Sequence, residues 1–142
     1  MAEAKVLSGA GLRGQIAGQT ALSTVGKEGA GLTYRGYDVR DLAEHCCFEE
    51  VAYLLFHGEL PNVEQLEAYK ARLKQWRDIP CVLKEVLERA PSNAHPMDVI
   101  RTACSVLGML EPEHDFSQQQ DRADRLLAMA PAVMAYWYRF SH

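Results

Sequence analysis

Glycine and proline are segregated along this chain of 142 residues: eight of the ten glycines lie at or before Gly36, and all six prolines lie at or after Pro61. Glycine adopts positive φ without steric cost and so marks turns. Proline lacks a backbone donor and sits best at helix starts and just beyond helix ends. The stretch up to Gly36 therefore reads as turn-rich and partly β, and the remainder as helices punctuated by proline.

Residues 1–18 show weak periodicity and read as an N-terminal arm, with 19–142 as the folded unit. Thr20-Ala21-Leu22-Ser23-Thr24-Val25 and Leu32-Thr33-Tyr34 are β-branched or alternating runs on either side of a glycine-rich segment. They predict a β-hairpin. A lone hairpin is marginal in water, so it must pack on helices or on another chain. From Asp38 the period becomes helical. Asp38 is positioned to cap a short helix through about His45. Phe48, Val51, Ala52, Leu54, Leu55 and Phe56 make a wide apolar stripe that Gly58 can terminate. Asn62 and Gln65 have capping-box spacing, and Leu66, Tyr69, Leu73 and Trp76 share one face of the helix they open.

Pro80 and Pro91 bracket a shorter helix. Pro96 suits the first turn of the next, with Met97, Ile100, Cys104 and Leu107 inward and a stop before Pro112. Ser117 and Gln120 repeat the capping-box spacing ahead of a last helix, which Pro131 should kink or break. The fold class is mainly α: an N-terminal hairpin followed by a helical bundle of at least five helices. The expected core includes Leu54, Leu55, Leu66, Leu73, Ile100, Leu107 and Leu126.

Fifteen Lys and Arg against nineteen Asp and Glu leave a net charge of −4, which argues against nucleic acid as the main partner. No apolar run reaches the ~18 residues that a membrane helix needs, and no basic-then-apolar leader opens the chain. A cytoplasmic protein is expected, with Cys46, Cys47, Cys81 and Cys104 reduced and mostly buried. None of these cysteines has CxxC spacing, so no metal site is expected. Between Asp38 and Glu67 eight acidic residues face a single arginine, Arg40. That run reads as a solvated face, with docking of a basic partner as the alternative.

Histidine is the commonest acid or base near neutral pH, but the five here form no HExxH or other cluster. His57 ends a helix, where a cation meets the negative pole of the dipole. His95 precedes Pro96 at a helix start, a place that packs or binds anions. His114 falls in a polar loop. Gly9-Ala10-Gly11-Leu12-Arg13-Gly14 imitates a dinucleotide fingerprint, but no strand precedes it and no βαβ unit follows. Composition and spacing alone lead to a mostly helical domain without a catalytic constellation.

Longer strings say more. Thr20 to Val25, then Leu32-Thr33-Tyr34-Arg35-Gly36-Tyr37-Asp38, then Phe48-Glu49-Glu50-Val51-Ala52-Tyr53-Leu54-Leu55-Phe56-His57-Gly58-Glu59-Leu60-Pro61, resemble the N-terminal part of the citrate synthase family. His95-Pro96-Met97-Asp98 matches a further landmark, and Ala135 to His142 looks like the end of the helix after it. Ala43-Glu44-His45-Cys46 and His95 to Thr102 resemble the 2-methylcitrate synthase branch. The resemblance runs from about Gly11 to the last residue and covers a third to two-fifths of a family member.

The resemblance implies part of a large helical domain from a homodimeric enzyme. Such enzymes condense an acyl-CoA, acetyl-CoA or propionyl-CoA, with oxaloacetate and release CoA. Both are substrates, and no cofactor is implied. A base removes a proton from the α-carbon while a second group stabilises the enolate oxygen. The family's catalytic histidines and aspartate lie beyond His142, so no catalytic residue is assigned here and the chain alone should be inactive. Arg72 matches a basic, substrate-associated position of some members and is the substrate-binding candidate, through pairing with a carboxylate; a solvated helix arginine is the other reading. Arg35 could hold an anion or stack on Tyr34 or Tyr37. Ala94 replaces the arginine that precedes His-Pro-Met in NADH-inhibited members, which argues against nucleotide inhibition. The rival class is a non-catalytic helical interaction module.

Overall fold

The computed structural model describes residues 18–25 and 31–142; the glycine-rich hairpin turn, the fingerprint-like 9–14 run and nearly all of the N-terminal arm lie outside the described residues. Strand β1 (Ser23–Val25) pairs antiparallel with β2 (Leu32–Tyr34), which places Ser23 opposite Tyr34 and Val25 opposite Leu32. The sheet has a third strand, β3 (Tyr37–Asp38), antiparallel to β2. The two-residue turn between β2 and β3 is Arg35-Gly36, with φ of +48° and +92°. Positive φ at both central residues is the hairpin turn whose twist matches its strands. The expected hairpin is thus a three-stranded sheet, and the Tyr37-Asp38 pair closes it before any helix begins.

The helices follow in the expected order: α1 (Val39–His45), α2 (Phe48–His57), α3 (Val63–Gln75), α4 (Cys81–Glu88), α5 (Pro96–Leu110) and α6 (Gln119–Ser141). Asp38 caps α1, its carboxylate accepting from the Arg40 amide at 2.8 Å. Gly58 ends α2 in the left-handed region at φ +92°. Asn62 and Gln65 exchange reciprocal bonds of 2.8 and 2.9 Å at the start of α3. His95 caps α5, its Nδ1 accepting from the Met97 amide at 3.2 Å, and Pro96 takes the first helical position.

Two apolar clusters share α6. Leu83 and Leu87 of α4, Val99, Ala103, Val106 and Leu107 of α5, and Met129, Val133 and Trp137 of α6 form the larger. Ala52 of α2, Tyr69 and Leu73 of α3, and Ala128 of α6 form the smaller. The sheet is tied to this bundle by Arg35, whose Nη2 donates to the Leu55 carbonyl at 3.1 Å.

Several expectations are corrected. Leu54, Leu73 and Leu107 are buried, but Leu55, Leu66 and Ile100 are only half-buried and Leu126 is exposed. On α5 the buried stripe is Val99–Ala103–Val106, with Leu107 beside it, whereas Met97 and Cys104 are exposed. Both stripes have helical spacing on an apolar helix, so periodicity could not choose between them. Cys81 and Cys104 are exposed and Cys46 and Cys47 half-buried, all four as free thiols. Ser117 does not cap α6. Asp115 caps a 3-10 turn (Phe116–Gln118) by accepting from the Ser117 amide at 2.8 Å, and α6 begins one residue beyond that turn. Nor does Pro131 break α6, which continues unbroken to Ser141. Pro131 has no N–H to give the carbonyl of Leu127 four residues earlier, yet the helix carries on, with Met129 and Val133 on either side anchored in the core.

Candidate functional site

The capping box that starts α3 sets the phase of that helix. Tyr69, Arg72 and Trp76 then fall three and four residues apart, on one face. On α6, Gln120, Asp121 and Asp124 follow the same spacing and meet them. Arg72 Nη2 lies 2.6 Å from Asp121 Oδ1 and 3.2 Å from Asp124 Oδ2. The Arg72 guanidinium carbon stands 4.5 Å over the Trp76 ring, a cation–π contact that fixes its plane. Arg72 Nε is buried without a hydrogen-bond partner.

Asp124 is 1% exposed. Burying a carboxylate costs several kcal/mol unless it is paired and hydrogen-bonded, and here it is both. Tyr69 Oη donates to its Oδ1 at 2.8 Å, Gln120 Nε2 donates to the same oxygen at 3.3 Å, and Arg72 faces Oδ2. Burial, and then the hydrogen bond to Asp124, push the Tyr69 phenol far above the usual tyrosine range. It is a fixed neutral donor at physiological pH.

A cleft of about 300 Å³ opens at this cluster, walled by Tyr53, His57, Gln65, Tyr69, Arg72 and Gln120 together with Asp121 and Asp124. The His57 ring stacks on Tyr53 at 4.1 Å between centroids and meets the Tyr69 edge at 6.1 Å. The cleft thus offers an aromatic wall, two amides and one arginine that is already paired with the carboxylates of Asp121 and Asp124.

Arg72 is therefore brought together with His57 and with a buried carboxylate that sequence reasoning does not single out. A signal for Asp124 exists: it lies four residues before Ala128 and five before Met129, on the inward stripe of α6. The other histidines stand apart. His95 is an exposed cap, His114 is exposed, and His142 stacks on Tyr138 at 4.6 Å. Among the described residues no three His, Cys, Asp or Glu side chains converge as a metal site would require.

The family model described as "Citrate synthase, C-terminal domain" matches residues 11–142 of this chain. The chain belongs to the citrate synthase family. It is 67% identical, over its whole length, to the 2-methylcitrate synthase of Shewanella oneidensis, of which it covers 38%. It is 45% identical over 128 residues to 2-methylcitrate synthase 2 of Corynebacterium glutamicum, covering 33% of that protein. The crystal structure of citrate synthase from Thermotoga maritima superposes with a TM-score of 0.81 over 93% of this chain and 34% of that one, at 30% identity. The chain thus spans about a third of the length of the citrate synthases it matches.

A second polar junction braces this citrate synthase segment. Arg125, one helical step beyond Asp124, has only 12% of its side chain exposed. Its Nε and Nη2 meet Glu111 at 2.9–3.2 Å, and its Nη1 donates to the Asp78 carbonyl at 2.9 Å and also to that of Trp76. Arg122 adds a contact to Glu111 at 3.3 Å. The adjoining cleft is larger, at about 420 Å³. Arg122 and Arg125 are engaged there by Glu111 and backbone carbonyls, and the Arg122 Nε, like that of Arg72, is buried without a partner; what distinguishes the Arg72 cleft is its wall of Tyr53, His57 and Tyr69.

Proposed function

We propose that this chain is the N-terminal part of an acyl-CoA:oxaloacetate C-acyltransferase, a 2-methylcitrate synthase or citrate synthase, that condenses propionyl-CoA or acetyl-CoA with oxaloacetate and releases CoA. The observation that carries the proposal is the 67% identity to a 2-methylcitrate synthase along the whole chain. Residues 19–142 belong to the large helical domain of a cytoplasmic homodimer, which needs no cofactor beyond its two substrates and has no nucleic-acid or membrane partner. The base and the enolate-stabilising group lie outside these residues, so this segment supplies scaffold and a substrate contact. Arg72 makes that contact with a substrate carboxylate. Its place on the wall of an open cleft, with its side chain part-exposed, supports this role.

The test is thiol release with oxaloacetate and either propionyl-CoA or acetyl-CoA, measured on the 142-residue chain and on the full-length synthase that contains it. Turnover by the full-length protein alone is the expected result, with propionyl-CoA preferred. Removing a whole coupled catalytic set leaves only scaffold. Turnover by the chain alone would overturn the division of labour. Silence in both proteins would favour a helical interaction module.

A further inference from the structure

For stability alone, the α3–α6 contact does not need a carboxylate. An apolar side chain of similar volume at a buried charged position is often neutral or stabilising. Asp124 is nonetheless buried to 1% exposure, and each of its oxygens has a polar neighbour. Oδ1 takes the Tyr69 hydroxyl at 2.8 Å and the Gln120 amide at 3.3 Å, which leaves Oδ2 directed at Arg72 Nη2, 3.2 Å away. The Trp76 ring sets the plane of the guanidinium and Asp124 its rotation, while Asp121, more exposed, grips the same Nη2 from outside. Both carboxylates thus hold one end of the fork. The buried Nε remains without a partner.

We propose that Asp124, itself held by Tyr69 and Gln120, is a positioning residue that presents the Arg72 guanidinium to a carboxylate of oxaloacetate. This rests on Arg72 being a substrate contact. Asp124 lines the same cleft as Arg72 but is only 1% exposed. It acts by restricting Arg72 to one orientation, so that the ordering cost is met before the substrate arrives.

The experiment uses the full-length synthase, with oxaloacetate and the acyl-CoA varied in separate series. Arg72→Met and Asp124→Asn should each raise the oxaloacetate KM about tenfold, the equivalent of losing one charge-assisted hydrogen bond. The kcat and the acyl-CoA KM should stay within about twofold, because binding and not chemistry is affected. The double variant should be no worse than Arg72→Met, since Asp124 works only through Arg72. Tyr69→Phe, which keeps the ring and removes one donor from Asp124, should move the same KM by a smaller factor, and it serves if Asp124→Asn fails to fold. If Arg72→Met raises the oxaloacetate KM while Asp124→Asn and Tyr69→Phe leave it unchanged, the positioning role is wrong and the Arg72 contact stands. If Arg72→Met leaves it unchanged, both are wrong. A rise confined to the acyl-CoA KM, or an Asp124→Asn effect that persists without Arg72, would also overturn the proposal.

Discussion

Arg125 of α6 donates to the backbone carbonyls of Trp76 and Asp78, so the segment that leaves α3 is held by a side chain 47 residues or more away in sequence. The same guanidinium grips Glu111 at the end of α5 through two nitrogens. One residue thereby joins the exits of two helices to a third.

Arg125→Met should lower stability by about 2–3 kcal/mol, because it leaves Glu111 with Arg122 as its remaining cation and removes the donor from two carbonyls. Glu111→Gln should cost less, since Arg125 keeps its carbonyl acceptors. Urea unfolding of both variants and of the double variant gives the coupling. A coupling near zero would mean that the pair is screened by water.

Leu54 is 0% exposed and Leu126 is 39% exposed. Leu54→Ala should cost ~2–5 kcal/mol, and Leu126→Ala less than ~0.5 kcal/mol. Thermal unfolding midpoints read both, and an equal loss would show that the α6 face is assigned wrongly.

Gly58 and Gly108 both have open space where a β-carbon would stand, yet they should respond to alanine with opposite sign. Gly58 closes α2 at φ +92°, where a β-carbon costs ~1–2 kcal/mol. Gly108 lies inside α5, where alanine gains ~0.5–1 kcal/mol over glycine. Denaturation of Gly58→Ala and Gly108→Ala in the 142-residue chain should therefore shift the midpoint down and up, respectively.

The Tyr69 phenol ionises at higher pH in the fold than in the unfolded chain, where its value is near 10.0. A group raised in this way contributes stability that is fully present below pH 10 and is lost as pH rises beyond it. Stability should therefore fall above about pH 10, and Tyr69→Phe should flatten that fall. An unchanged alkaline slope in Tyr69→Phe would mean that other groups, such as Tyr136, dominate it.

Helix order and most helix ends are legible in the sequence because they are written in local chemistry. Asp38, Gly58, the Asn62–Gln65 pair and Pro96 each satisfy or forbid a particular backbone bond, whatever the rest of the chain does. Which face turns inward is less legible. Met97, Cys104 and Leu126 lie on apolar helices whose neighbours, not their period, choose the buried side. Pro131 misleads because a break also depends on what anchors each flank. At the site, Arg72 is identifiable through family resemblance. Its partners are not, since Asp121 and Asp124 are 49 and 52 positions away in sequence and meet it only when α6 lies across α3.

That crossing has a consequence for biosynthesis. Helix α6 closes both apolar clusters, and the Tyr69–Asp124 bond spans 55 residues. At ~5–20 residues per second of synthesis, α3 is complete for several seconds before the helix that covers it exists. Tyr69 and Leu73 must wait uncovered at the ribosome exit during that interval, so a slow stretch of codons between α3 and α6 would lengthen the window in which this nascent segment can be captured by a chaperone or a neighbouring chain.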